Sequence, residues 1–539
     1  MSSKIIYQIY PRSFADSNGD GVGDLQGIAQ KMPYLAALAP TDIWISPFFA
    51  SPMKDFGYDI SDYRAIDPIF GSDADFDRLA SMMRENKLGV IIDQVWAHTS
   101  DKHEWFKASS DPVHPDHEKY KDWYTWKDAK EDGTPPNNWL SMFGGSAWSW
   151  HPRRSQYYLH HFLKEQPALN WHNSAVVTEI LEITRFWLDK GVTGFRLDAI
   201  NFSLCNPTFA DNPPRRGVSF DGVSASNPLS RQMFNHVNQA ELLSHIAEVR
   251  EVLDSYDGTF SVGEIGLSDD SVAYSAEYVG DRLLNTCYNF SLLEAKGVRA
   301  LLSSIQRTLH HYCNRGIQPC WAIGNHDSPR VASRWADTKT VITPSSEVAK
   351  RNLLLLFTLP GHVCLYQGDE LGLPQAELDF EDLVDPYDRE FFPDHVGRDG
   401  ARTPIPWKKG LEYAGFSTAK PWLKVDPRHY AFAVDHQEQD PESVLSFCKD
   451  LIKEKKTNRV LQKGTTEVAI AENDLLIVLR QLGDSFRLVF LNYGTEPKNI
   501  NLRQGEAADF VRGNGLNISL SVVSVPAEGF LVIDEGSAN

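Results

Sequence analysis

Arg196 and Asp198 stand two residues apart in Gly194-Phe195-Arg196-Leu197-Asp198-Ala199, a short run with the character of a buried strand. Side chains two apart in a strand leave the pleat on the same face, so a guanidinium and a carboxyl are held together at the strand end. The cation keeps its neighbour ionised, which suits a nucleophile or an electrostatic stabiliser of positive charge. Glu264 follows Ser261-Val262-Gly263 and precedes Ile265, and these apolar neighbours would keep its carboxyl protonated. A charged base beside a neutral acid is the arrangement that cleaves glycosides through an oxocarbenium-like transition state, with retention when the carboxyls lie about 5 to 5.5 Å apart. Two further runs end in polar groups: Asp93 with His98 shortly beyond, and Asn325-His326-Asp327.

A repeated unit of strand and helix must position these groups. Strands are expected at Ile5 to Tyr10, Asp42 to Pro47, Val90 to Asp93, Gly194 to Ala199, Thr259 to Ile265, Arg282 to Phe290, Cys320 to Asp327 and His362 to Gly368. Amphipathic helices fall between them: Ser72 caps one bearing Phe76, Leu79, Met82 and Met83 on one face, and another presents Val176, Val177, Ile180, Leu181, Thr184, Trp187 and Leu188. A helical stretch from Leu25 to Leu38 is interrupted at Pro33. Eight alternations predict an α/β fold, a parallel (β/α)8 TIM barrel over residues 1–98 and 171–457. Aromatic, Gly- and Pro-rich sequence over residues 99–170 reads as a subdomain inserted after strand three, and residues 458–539 as a C-terminal antiparallel β-domain, a β-sandwich. Active sites of such barrels lie at the C-terminal strand ends. A single acid there would be an ordinary buried ion pair as readily as a catalyst, but acids on four strand ends are harder to explain so.

The chain has 539 residues and a net charge of −19, which argues against phosphate-backbone partners or anionic membranes and fits a neutral or cationic small-molecule substrate. No segment offers the roughly 20 apolar residues of a spanning helix, and no signal core is seen. The six cysteines are scattered and read as reduced thiols of a cytoplasmic protein, monomeric or homodimeric. Asp16, Asn18, Asp20 and Asp24, with the Val22 carbonyl, alternate with glycines in the pattern of a structural Ca2+ loop, Mg2+ being the alternative, although Gly27 stands where a calcium hand needs Glu. No organic cofactor is expected. Phe56-Gly57-Tyr58-Asp59 joins aromatic faces to carboxylates, as a sugar pocket needs. His103, His114 and His117 are read as solvated, and Glu370 as a structural hydrogen-bonding group.

The four strand-end motifs, Asp93-Gln94-Val95-Trp96-Ala97-His98, Gly194-Phe195-Arg196-Leu197-Asp198, Gly263-Glu264 and Asn325-His326-Asp327, occur in the order found in the α-amylase family, glycoside hydrolase family 13, which the chain resembles over nearly its whole length. Gln166-Pro167-Ala168-Leu169-Asn170 and Gly397-Arg398-Asp399-Gly400-Ala401-Arg402-Thr403-Pro404-Ile405-Pro406-Trp407 add a likeness to its bacterial α-glucosidases. The resemblance implies Asp198 as nucleophile, Glu264 as general acid/base and Asp327 as the acid that grips and distorts the sugar. It places His98, Arg196, His326, Tyr58 and Phe162 around the innermost glucose, with Asp59 and Arg398 on the hydroxyls of its non-reducing end. The activity implied is that of an exo-acting, retaining α-glucosidase on short maltose-like substrates, with transglucosylation as a side reaction and the loop from Phe202 to Leu242 restricting chain length. A sucrose hydrolase or isomerase of the same family, or a non-catalytic sugar-binding relative, are the alternatives. Ala97 stands where many amylases place a calcium-binding Asn, Ala168 replaces an acid, and the small Ala199 points to α-1,4 linkages.

Overall fold

In the computed structural model, which describes residues 3–215, 230–266, 270–334, 346–392, 397–471, 474–514, 516 and 520–535, the repeated units close into a barrel. Its strands are β1 (Ile5–Ile9), β2 (Asp42–Ile45), β3 (Gly89–Val95), β4 (Gly194–Asp198), β5 (Phe260–Ile265), β6 (Thr286–Asn289), β7 (Cys320–Ala322) and β8 (His362–Tyr366). Neighbours pair in parallel and β8 returns to β1. The strands read as nearly unbroken apolar runs because both faces are covered, helices outside and side chains inside. Ile6, Trp44, Ile91, Phe260, Val262, Tyr288, Cys320 and Cys364 form one such cluster.

Register sets the site. Arg196 on β4 lies opposite Asp93 on β3 and Val262 on β5, and Glu264 lies opposite Tyr288 on β6. Leu197 faces Gly263, so the next residues, Asp198 and Glu264, are neighbours one rung higher. Strand β7 is shorter than its sequence implies and ends at Ala322, so Asn325, His326 and Asp327 stand on the turn beyond it. The helical stretch after β1 breaks at Lys31, and Pro33 lies in the first turn of the second helix, Met32–Leu38, where a missing N–H costs nothing.

Residues 99–170 carry a three-stranded antiparallel sheet of Trp126–Lys127, Gln156–Leu159 and Trp148–His151. His103 is not solvated. It is buried and accepts the Trp105 N–H, capping the helix Glu104–Ser110. His114 and His117 are partly exposed. The C-terminal strands β9 (Thr465–Ala471), β10 (Leu475–Leu482), β11 (Ser485–Asn492) and β14 (Phe530–Glu535) form one antiparallel sheet, and β12 (Lys498–Asn501) pairs with β13 (Val522–Val525). The sandwich expected here is therefore lopsided, a four-stranded sheet faced by a two-stranded ribbon and the helix Glu506–Gly513. Its other face is buried too: Leu476, Val478, Val489 and Leu491 join the main core. Arg480 fastens this unit to the barrel by donating to the Thr358 carbonyl, at the C-terminus of the helix Ser346–Thr358 where positive charge is favoured, beside the Leu359 carbonyl that the barrel's own Lys455 takes.

Candidate active site

One guanidinium organises the floor of the site. Arg196 Nη1 bonds Asp93 at 2.8 Å and Asp198 at 2.5 Å, while Nη2 bonds Glu264 at 2.6 Å and the Tyr288 hydroxyl at 2.8 Å. Its face lies over the Trp44 ring at 5.0 Å, and the Trp44 N–H donates to Asp93. Side-chain exposure then separates roles: Arg196 and Asp93 have none, whereas Asp198 keeps 12% and Glu264 8%. Asp93 is foundation, and the upper pair faces the pocket.

Three carboxyls against one cation cannot all ionise cheaply in a buried site. Burial raises each: Asp93 to about 6, Asp198 to about 7 and Glu264 to about 8, with Arg196 opposing in every case. The proton therefore resides on Glu264, the acid of the set, and Asp198 is the more readily ionised of the exposed pair. Glu264 is held by the Ala199 N–H at 2.9 Å and by the Tyr288 hydroxyl at 3.2 Å. The Ala199 amide is aimed by a left-handed backbone (φ 41°) in the turn that ends β4.

Asp327 lives in the opposite environment. Burial alone would raise its pKa, but Arg398 and Arg402, joined by His326 only at pH low enough to charge that ring, outweigh this and hold it well below the usual carboxylate range. Arg402 and Arg398 donate to its Oδ1 at 2.8 and 3.2 Å, leaving a side chain 23% exposed. His326 is stacked between the Tyr10 and Tyr58 rings at 5.6 and 5.3 Å, and the Tyr58 hydroxyl bonds its Nε2 at 2.6 Å. Burial pushes its pKa down to about 3, so the ring is neutral. His98 is likewise pushed down to about 4, bonds the Tyr58 carbonyl and Gln166, and packs on Phe162 at 5.3 Å.

Residues 8–464 match the family model for the α-amylase catalytic domain. The chain belongs to the α-amylase family. A probable α-glucosidase of Rhizobium meliloti is 45% identical, the alignment covering 91% of this chain and 89% of that one. An oligo-1,6-glucosidase of Heyndrickxia coagulans is 38% identical, with 90% of each chain covered. Among solved structures, the α-glucosyl transfer enzyme XgtA superposes with a TM-score of 0.89 at 42% identity over 98% of both chains. The family's barrel is thus the scaffold on which Asp198, Glu264 and Asp327 converge.

The sequence expectation that pairs Asp59 with Arg398 is corrected by the geometry. Asp59 does not meet Arg398: its buried carboxylate accepts from Ser51 Oγ and from the Lys54 and Asp55 N–H groups, and so braces its own loop. The residue beside Arg398 is Asp55, 3.0 Å from Nη2. Tyr288, Arg402, Asp55 and Asp385 also belong to the site and were not singled out. Arg402 lies within the Gly397 to Trp407 signature, and Tyr288 occupies a strand position two residues before the expected end of β6. The loop from Phe202 to Leu242 lies partly outside the described residues, at 216–229. Glu370 is structural, its carboxylate accepting from Tyr7, Tyr34 and the Gly368 N–H at 2.7 Å each.

The loop from Asp16 to Asp24 is closed on itself. Asp16 accepts from the Asn18, Gly19 and Gly21 N–H groups and from Ser417, Asp20 from the Val22 N–H, and Asp24 caps the helix Leu25–Gln30. Gly19 (φ 79°) and Gly21 (φ 89°) supply the left-handed turns this path requires. Among the described residues no three His, Cys, Asp or Glu side chains gather closely enough to hold a metal. Its donor set is nevertheless all oxygen, the chemistry a hard cation selects, with the Asn18 amide and Val22 carbonyl completing it.

Proposed function

We propose that the chain is an exo-acting, retaining α-glucosidase that releases glucose from the non-reducing end of short α-1,4-glucosides. The observation that carries this is the shared guanidinium: Asp198 and Glu264 bond Arg196 at 2.5 and 2.6 Å, which keeps the two carboxyls close, as retention needs. Glu264 gives its proton to the glycosidic oxygen as the C1–O bond breaks, and Asp198 forms the bond to C1 from the opposite face. In the second half, Glu264 takes a proton from water, whose oxygen displaces Asp198 with net retention. Asp327, held anionic by two arginines, grips sugar hydroxyls and opposes the positive charge that develops at the ring. Arg398, held between Asp55, Asp385 and Asp327, closes the far end of the pocket and supports the exo mode.

Ala199 borders an apolar wall with Phe202, Phe162, Met142, Met233 and Val237, and its small side chain supports α-1,4 substrates. A sugar acceptor in place of water gives transglucosylation. The time course of products from maltose, maltotriose, isomaltose and sucrose tests the reading: glucose from maltose is expected first and fastest. Trehalulose or isomaltulose from sucrose would overturn it in favour of an isomerase, the activity named for the trehalulose synthase MutB, which superposes with a TM-score of 0.86 at 30% identity over 99% of both chains. No helix of the described residues is long and apolar enough to cross a membrane. All six cysteines are free thiols, which supports a cytoplasmic location.

We further propose a structural Ca2+ on Asp16, Asn18, Asp20, Asp24 and the Val22 carbonyl. Chelation by EDTA is expected to lower Tm by roughly 2–5 °C, with Ca2+ restoring it and kcat unchanged at assay temperature. A Tm indifferent to both would leave the loop a self-bonded turn.

A further inference from the structure

Among the described residues, Arg398 is the cation at the pocket's closed end that reaches three carboxylates, and its tightest partner is not on the pocket. Asp385 takes its Nε at 2.6 Å and its Nη2 at 2.5 Å in a bidentate grip, against 3.0 Å to Asp55 and 3.2 Å to Asp327. Asp385 has no side-chain exposure, Arg398 has 14% and Asp327 23%, so the strong bond lies on the buried side and the weaker ones toward the pocket. The main chain is gripped as well. Asp388 accepts the Arg398 and Asp399 N–H groups at 2.5 and 2.8 Å, and Asp399 accepts the Val384 and Asp385 N–H groups at 2.7 and 2.9 Å. Phe143 and Tyr387 flank the guanidinium at 5.3 and 5.8 Å.

We propose that Asp385 is a positioning residue for the reaction, holding Arg398 back so that its outer N–H groups and an oxygen of Asp327 remain available to the terminal sugar hydroxyls. A free arginine would spend rotamer entropy on each binding event and, lacking Asp385, would turn its fork onto its remaining partners, Asp55 at 3.0 Å and Asp327 at 3.2 Å, the carboxylates on the pocket side. Fixing Nε and Nη2 to Asp385 leaves Nη1 oriented toward the pocket with Asp327, at 3.2 Å, as its one hydrogen-bond partner among the described residues, so one of its N–H groups stays open. The same reciprocal grip between residues 384–388 and 398–399 keeps the end wall from moving outward. Asp385 is well suited to this: although burial opposes ionisation, Arg398 holds its carboxyl down to about 2.

The inference rests on the α-glucosidase reading, and the experiment separates the two. Hydrolysis of 4-nitrophenyl α-glucoside by the unaltered protein tests that reading alone; should it fail, calorimetric affinity for glucose carries the comparison below. Asp385→Asn keeps the shape and removes the charge, and Asp385→Glu keeps the charge and displaces it by one methylene. Asp385→Asn is expected to raise KM about 10- to 100-fold with a smaller change in kcat, and Asp385→Glu to recover part of the loss. The 4-deoxy analogue of the glucoside, which has one less hydroxyl for that wall to hold, is expected to be penalised several-fold less by the same substitution. A role in stability alone would lower the active fraction equally for both substrates with KM unmoved, and that result overturns the proposal. Should Asp385→Asn not fold, Asp385→Glu decides by the same ratio.

Discussion

Asp198→Asn is expected to lower kcat/KM for maltose and for 4-nitrophenyl α-glucoside alike by about 10⁴-fold or more. Both substrates need the bond to C1, whatever the leaving group, so the loss is common to them. The substitution has a second effect peculiar to this site. Asp198 is among the charges that keep the proton on Glu264, so an amide at 198 lowers the pKa of Glu264 from about 8 and leaves less of it protonated near neutral pH. Stability moves the other way from activity: Arg196 is left with two carboxyl groups in place of three, and self-repulsion in the buried cluster is relieved. An inactive variant with an unchanged or raised Tm is the signature. A lowered Tm with activity scaling to the folded fraction would make Asp198 a structural ion-pair partner.

Glu264→Gln separates substrates that Asp198→Asn does not. An alkoxide leaving group needs the proton that Glu264 donates, whereas 4-nitrophenolate departs with little help, so the loss in the first chemical step is about 10²- to 10⁴-fold for maltose and far smaller for the aryl glucoside. The pH profile carries the same information. Glu264 must be protonated in the free enzyme, so kcat/KM falls as pH rises through about 8; Asp198 must be ionised, so it falls as pH drops through about 7. The expected bell is narrow because both groups answer to one arginine, and the apparent values belong to the cluster. Glu264→Gln removes the alkaline limb. An alkaline limb that survives in that variant would assign the proton to another group.

Groups whose contacts are set by strand register were readable from sequence. Asp93, Arg196, Asp198 and Glu264 sit at positions where a two-residue period and the next strand determine the neighbour, and the structure joins them as that period requires. Loop groups were not. Asp55 and Asp59 lie four apart in one irregular turn, and which one faces Arg398 depends on Ser51 and the Lys54 and Asp55 amides having claimed Asp59. Asp385 has no periodic signal at all; its meaning comes from Arg398, thirteen residues on and folded back against it. The opposed environments of Asp198 and Glu264 were half legible. Apolar neighbours marked Glu264 as the protonated member, but that Arg196 serves three carboxyls and so leaves even Asp198 raised is visible only once the strands are side by side. The buried His103 was missed because its role, capping a helix within an aromatic subdomain, leaves no mark in an acidic, hydrophilic stretch.

The anomer of the first-released glucose decides whether Asp198 carries a double displacement. Proton NMR of maltose hydrolysis, followed faster than mutarotation, is expected to show α-glucose accumulating first, with the β form appearing only as mutarotation proceeds. Initial β-glucose would mean that water attacks C1 directly, and would contradict the assignment of Asp198 as nucleophile.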